Sequence, residues 1–226
     1  MKKTLTILFL FISITTFGQD INTGELWRTK GVYDSIGNFM ERAKIQSFLY
    51  SAKPNQFYSL STQDKMNMET GETRVFIYRD TLNLNSLGNK TYEINDKKTL
   101  IVHTKDSLTI KYNGYSLPYV RLAQKQNKVN LEKFKIELLN NVFIRSVSKV
   151  KDYSLTYQTS GLVKINPLKS NSEWESEYKI INFNGFIILQ GIVSAPKLIT
   201  KSSKNKIEFI EIDYRFENKN GSLDKN

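Results

Sequence analysis

Val, Ile, Thr, Tyr and Phe recur at alternate positions along most of this chain, and clusters of Asn, Asp, Gly, Ser and Lys interrupt them roughly every eight to twelve residues. A period of two sets alternate side chains on opposite faces of a strand. A chain written this way buries its apolar set by packing sheets together or by closing one on itself. The spacing predicts an all-β fold, a sandwich or a barrel built as an antiparallel meander. Lys98 to Tyr119 is the clearest stretch: Leu100 and Val102 alternate with Ile101 and His103, Lys105-Asp106-Ser107 turns the chain, and Leu108, Ile110 and Tyr112 oppose Thr109 and Lys111. Asn113-Gly114 tolerates positive φ at both positions of a tight turn, which predicts a hairpin. Asn184-Gly185 predicts a second one, between Glu177–Phe183 and Phe186–Gln190. Pro118 lacks a ladder N–H and is expected at an edge or bulge. Over Ile207–Phe216 the apolar parity switches from Ile207 and Phe209 to Ile210, Ile212, Tyr214 and Phe216. A β-bulge near Phe209-Ile210 would reconcile the two sets.

A helix is expected over Leu131–Val142, where Leu131, Phe134, Leu138, Leu139 and Val142 share a face and Asn130 can cap the first turn. Phe134, Ile136 and Leu138 also alternate, so a strand stays open there. With the polar, basic stretch Gln124–Asn130 as linker, the expected organisation has four parts after a leader at 1–18. These are a β domain at 19–124, a linker and short helix at 125–142, a second β unit at 143–219 and a disordered tail at 220–226. Laying Thr91-Tyr92-Glu93-Ile94 over Glu177-Tyr178-Lys179-Ile180 makes the two units similar in order, which suggests an internal repeat. One large domain or two small ones both fit the length.

The leader reads as a signal peptide. Lys2 and Lys3 precede an uncharged apolar run, Leu5 to Phe17, and Thr16 and Gly18 are small residues suited to cleavage before Gln19. Export to the periplasm or beyond the cell is therefore expected, with no integral span after cleavage. Cysteine is absent, which removes disulfides, thiolate metal sites and a cysteine nucleophile. Aromatic residues, 12 Tyr and 13 Phe among them, supply enough apolar area for a core without staples. The formal charge of +11 falls to +9 without Lys2 and Lys3 and favours acidic proteins or anionic glycans as partners. Nucleic acid is not expected, because no recognition-helix or RNP pattern accompanies the charge.

Residues 24–124 resemble the lipocalin-like small barrels of exported bacterial proteins. Gly24-Glu25-Leu26-Trp27, Lys90-Thr91-Tyr92-Glu93-Ile94, Asp106-Ser107-Leu108-Thr109-Ile110 and Tyr119-Val120-Arg121-Leu122 carry the resemblance. It implies an antiparallel meander closing into a barrel, with Trp27 on an early strand sealing the floor and Arg121 from the final strand stacked over the indole. The family separates its Gly and Trp by one residue, whereas two intervene here.

No nucleophile elbow, phosphate loop, zincin or dinucleotide pattern is present, and no cofactor or metal is expected. His103, the only histidine, lies in an alternating run and reads as structural. Glu173, Glu175 and Glu177 alternate with Trp174, a pattern that could serve a sugar-cleaving carboxylate pair but reads better as a solvated face opposite a core Trp. Glu208, Glu211 and Asp213 are expected to point outward. Lys197, Lys201, Lys204 and Lys206, and separately Lys125, Lys128, Lys133 and Lys135, form basic clusters. The first is the candidate surface for an anionic partner. Together these features suggest an exported protein that binds rather than catalyses, holding a small apolar or amphipathic ligand in a barrel cavity. The alternative is an envelope interaction or inhibitor protein that uses its basic surface.

Overall fold

The structure, a computed structural model, describes residues 21–40, 46–71, 73–95, 97–123, 129–139, 141–147, 149–191, 195–212 and 218–226. The expected leader, the basic pair Lys125 and Lys128, and Asp213, Tyr214 and Phe216 lie outside them. The chain forms two closed antiparallel barrels of eight strands each, joined through one short helix. The first contains β1 (Leu26–Thr29), β2 (Gln46–Lys53), β3 (Gln56–Met66), β4 (Thr73–Gly88), β5 (Thr91–Ile94), β6 (Lys98–Thr104), β7 (Ser107–Tyr112) and β8 (Tyr115–Ala123), with β8 returning to pair β1. Helix α1 (Leu131–Leu138) follows. The second contains β9 (Val142–Val147), β10 (Val150–Tyr157), β11 (Leu162–Pro167), β12 (Trp174–Phe183), β13 (Phe186–Gly191), β14 (Lys197–Ser203), β15 (Lys206–Ile212) and β16 (Asn218–Lys225), with β16 closing on β9.

Turn chemistry sets the hairpins. Asn113 and Gly114 sit at φ 46° and 78°, Asn184 and Gly185 at 51° and 87°, the doubly left-handed pair that matches the right-handed twist of the flanking strands. Pro118 lies in β8 just past the last β1 pair, Thr29 with Tyr119, where its carbonyl accepts Lys30 N–H at 2.7 Å. On that side the β1 ladder stops at Thr29 and pairing resumes at Tyr33 with Ser116, so Pro118 lies at the irregularity between them, where no ladder bond is asked of its missing N–H.

Three expectations change. The segment expected to be a disordered tail, 220–226, is mostly strand: β16 pairs β15 along seven residues and β9 along five, and without it the barrel would stay open. The parity switch at Phe209-Ile210 is not a bulge in β15. Its register with β16 is unbroken, and the shift lies across from it, in β14 between Ile199 and Lys201. Both faces of β15 are apolar because both are covered: Ile207 and Phe209 join the second barrel's interior, while Ile212 joins a cluster between the barrels. The overlaid Tyr segments are not equivalent either, since Tyr92 lies on the fifth strand of its barrel and Tyr178 on the fourth of the other.

Three apolar clusters organise the molecule. Trp27, Leu49, Phe57, Ile94, Leu100 and Leu108 fill the first barrel. Phe143, Leu155, Leu189, Ile199, Phe209 and Leu223 fill much of the second, joined by Phe134 and Leu138 of α1. Asn130 caps α1 by accepting Lys133 N–H at 2.9 Å, and the helix stops at Leu138 where Leu139 turns extended and bridges Tyr157. The third cluster lies between the barrels, with Leu26, Phe48 and Leu60 against Phe183, Phe186 and Leu198.

Candidate functional site

The helix and a set of buried charges mark opposite ends of the second barrel. Leu139 bridges Tyr157 at the close of β10, and the Ser202 hydroxyl near the end of β14 donates to the Glu137 carboxylate of α1. Asp152 and Lys197, by contrast, lie toward the starts of β10 and β14. Around them is a cavity of about 690 Å³. Leu155, Val163, Ile165 and Leu189 supply apolar wall, and Tyr153, Tyr157, Tyr178 and Trp174 supply aromatic wall. Trp174, 43% exposed, meets the Tyr153 ring edge-on with centroids 6.0 Å apart.

Four charged side chains from four strands converge on this cavity. The Arg145 guanidinium on β9 donates to Asp152 on β10 through Nη1, and to Glu211 on β15 through Nη2 at 2.6 Å. Lys197 Nζ on β14 lies 3.7 Å from the same Glu211 oxygen and donates to the Ala195 carbonyl at 3.3 Å. Two cations and two carboxylates balance, which is what allows charges to sit on a barrel's inner face. Burial alone would lower the Arg145 pKa, but the hydrogen bond and charge of Glu211, followed by those of Asp152, outweigh it and raise it. Lys197 goes the other way: burial pulls its ammonium down to about 8, and Glu211 recovers only part of the loss. Burial also pushes the Tyr157 hydroxyl well above the ordinary phenol range.

Sequence pattern misplaces two of these residues. Lys197, assigned to a basic surface, is 6% exposed and lines the cavity; it shares the inward parity of Ile199. Lys201 and Lys204 of that cluster are exposed, and Lys206 is exposed beside Glu208 at 3.6 Å. Glu211, expected to face outward, keeps the phase of Ile207 and Phe209 and therefore points in. Neither Arg145 nor Asp152 stands out in the sequence. A charged residue in phase with a core face is the available signal for Arg145, between Phe143 and Val147. Asp152 has none, because the register shift between Lys151 and Tyr153 breaks its phase.

Of the remaining candidates, Trp174 and Glu175 reach the cavity and the others lie elsewhere. His103 is exposed and bonds Thr109 Oγ1 at 2.9 Å. Glu177 pairs with Lys179 at 2.5 Å and accepts Val75 N–H at 3.2 Å from the first barrel, Glu173 is exposed beside Lys164, and Glu175, also beside Lys164 and accepting from Gln158 Nε2 at 2.9 Å, lines the cavity next to Trp174. Trp174, expected in a core opposite these acids, stands at the cavity instead. Trp27 is fully buried in the first barrel, directly across from Arg121 on the pair of strands that closes it. The Arg121 guanidinium bonds Glu25 at 2.8 Å and also Asp106, which ties that end of the barrel. Lys133 and Lys135 lie on α1 and pair with its own Glu137 and Glu132. Among the described residues no cluster of His, Cys, Asp and Glu could hold a metal, and no helix is long and apolar enough to cross a membrane. In comparison with known proteins, neither a family model nor a curated protein matches the chain.

Proposed function

We propose that this protein is an exported binding protein whose second barrel holds a small amphipathic ligand. The observation that carries the reading is a cavity of about 690 Å³, the size of a small-molecule site, with apolar and aromatic walls and a set of buried charges at one end. Burying a ligand's hydrocarbon against Leu155, Val163 and Ile165 supplies the affinity, at roughly 25 cal/mol per Å² of apolar area removed from water. The charged end sets its orientation. Export enters through Lys2, Lys3 and the apolar run Leu5 to Phe17, and the resemblance of residues 24–124 to lipocalin-like barrels accords with a carrier.

A ligand should accompany the purified protein and be released as a discrete mass in native mass spectrometry. Val163→Trp should fill the cavity and abolish uptake of 1-anilinonaphthalene-8-sulfonate, read as lost fluorescence enhancement, while circular dichroism stays β-type. Dye uptake equal in the variant and the wild type would refute the assignment.

A further inference from the structure

We infer that Lys197 is a covalent capture site, whose amine forms an imine with an aldehyde or ketone held in the second barrel's cavity. The inference rests on the ligand-binding reading above and adds the chemical class of ligand. Three observations on the fold support it. Lys197 is almost fully buried yet lines the cavity, so a carbonyl compound can meet the amine only after entering the barrel. Apolar wall lies within the same cavity, which would hold the compound's hydrocarbon part while its carbonyl carbon approaches Nζ. A carboxylate, Glu211, stands 3.7 Å from Nζ and is itself fixed by Arg145.

The step balances without an outside reagent. The Lys197 ammonium passes one proton to the Glu211 carboxylate, and the freed nitrogen lone pair attacks the carbonyl carbon, forming the C–N bond as the carbonyl π electrons move to oxygen. That oxygen takes the proton held by Glu211, then a second released from nitrogen, and leaves as water when the C–O bond breaks. Ammonium and aldehyde thus give iminium and water with charge conserved, and the Glu211 carboxylate faces the new cation. Water reverses the sequence, so capture is reversible. The groups that set the amine's proton affinity are Glu211 on β15, Arg145 on β9 and Asp152 on β10, while Lys219 of β16 stands opposite Glu211 in the register. Burial holds the amine near 8, so at pH 7.5 it is neutral roughly a hundred times more often than an ordinary lysine of pKa about 10.4. Lys201 and Lys204, exposed on the β14–β15 hairpin, provide internal controls on the same chain.

The test uses 2-naphthaldehyde with cyanoborohydride at pH 7.5, read by intact mass and peptide mapping. Naphthalen-2-ylmethanol, which lacks the carbonyl, reports entry into the cavity through its fluorescence. The expected result is one dominant adduct at Lys197, about tenfold or more over Lys201 and Lys204. It should be lost in both Lys197→Arg and Lys197→Met, each still β-type by circular dichroism, while the wild type binds the alcohol. Label spread over Lys201 and Lys204 as heavily as over Lys197, with the alcohol still bound, would overturn covalent capture and leave the binding reading standing. If neither compound enters the barrel, both fall.

Discussion

Lys197 shows how one side chain can weigh on both stability and function. Its folded pKa of about 8 lies below the ordinary 10.5 because burial disfavours the ammonium. Below pH 8 both folded and unfolded chains carry the proton, and folding bears the full cost of enclosing a charge. Between the two values the unfolded chain binds a proton that the folded chain does not, so stability climbs as pH rises, by roughly 3 kcal/mol in all. Buried tyrosines reverse the trend at higher pH. Burial pushes the Tyr119 hydroxyl up to about 12, partly offset by its hydrogen bond with Ser47, so stability from that group is complete below pH 10 and is lost above it. Urea unfolding at pH 7.5 and 9.5 should therefore show the wild type gaining about 2 kcal/mol, and Lys197→Met gaining little. Equal pH slopes in the two proteins would show that the amine is not held in the low-dielectric setting described.

At the scale of strands, β16 owes its place to its neighbours more than to its composition. Asn-Lys-Asn-Gly-Ser-Leu-Asp-Lys has one large apolar side chain, Leu223, yet it completes the barrel through ladders on both sides. Gly221 stands opposite Phe209 in that ladder, and a Cβ there would lie 2.8 Å from the Ser146 carbonyl oxygen and closer still to the Phe209 ring. Strand propensity alone favours Ala over Gly, so Gly221→Ala would ordinarily stabilise; here overpacking should destabilise the protein by about 1–3 kcal/mol in urea unfolding. A neutral or positive effect would mean that Phe209 does not pack over the glycine. The same contrast separates what could be read from sequence from what could not. The Asn-Gly turns, the α1 face and the strands around Leu100 and Leu108 were legible because they depend on neighbours a few residues away. Strands β14 and β16 were not, since their polar composition is tolerated only by pairing. The charge cluster was hidden for a related reason: residues 145, 152, 197 and 211 neutralise one another across four strands, and alternation alone assigns such groups to solvent.

For the whole molecule the question is whether the two barrels behave as one body. Strand β12 has a part in both the cavity and the packing between barrels: Tyr178 lines the cavity, whereas Ile181 and Phe183 belong to the inter-barrel cluster. The Tyr50 ring meets Phe183 and Phe186 edge-on at 6.4 and 6.2 Å. Beyond this apolar seam, Val75 N–H on β4 reaches Glu177, and Arg79 Nη2 donates to the Asn182 carbonyl at 3.1 Å, so β4 of the first barrel lies along β12 of the second. An apolar seam of this kind couples the folding of its two sides, and the wild type should unfold in one calorimetric transition. Removing a fully buried ring there, as in Phe186→Ala on the second barrel or Phe48→Ala on the first, should cost about 3–5 kcal/mol and separate that transition into two. Phe57→Ala, inside the first barrel and away from the seam, should lower stability by a similar amount yet leave the coupling between barrels intact. If the wild type already melts in two steps, the first barrel is a passive neighbour; if the wild type melts in one and the seam variants split, the first barrel is the buttress that holds the cavity wall in place.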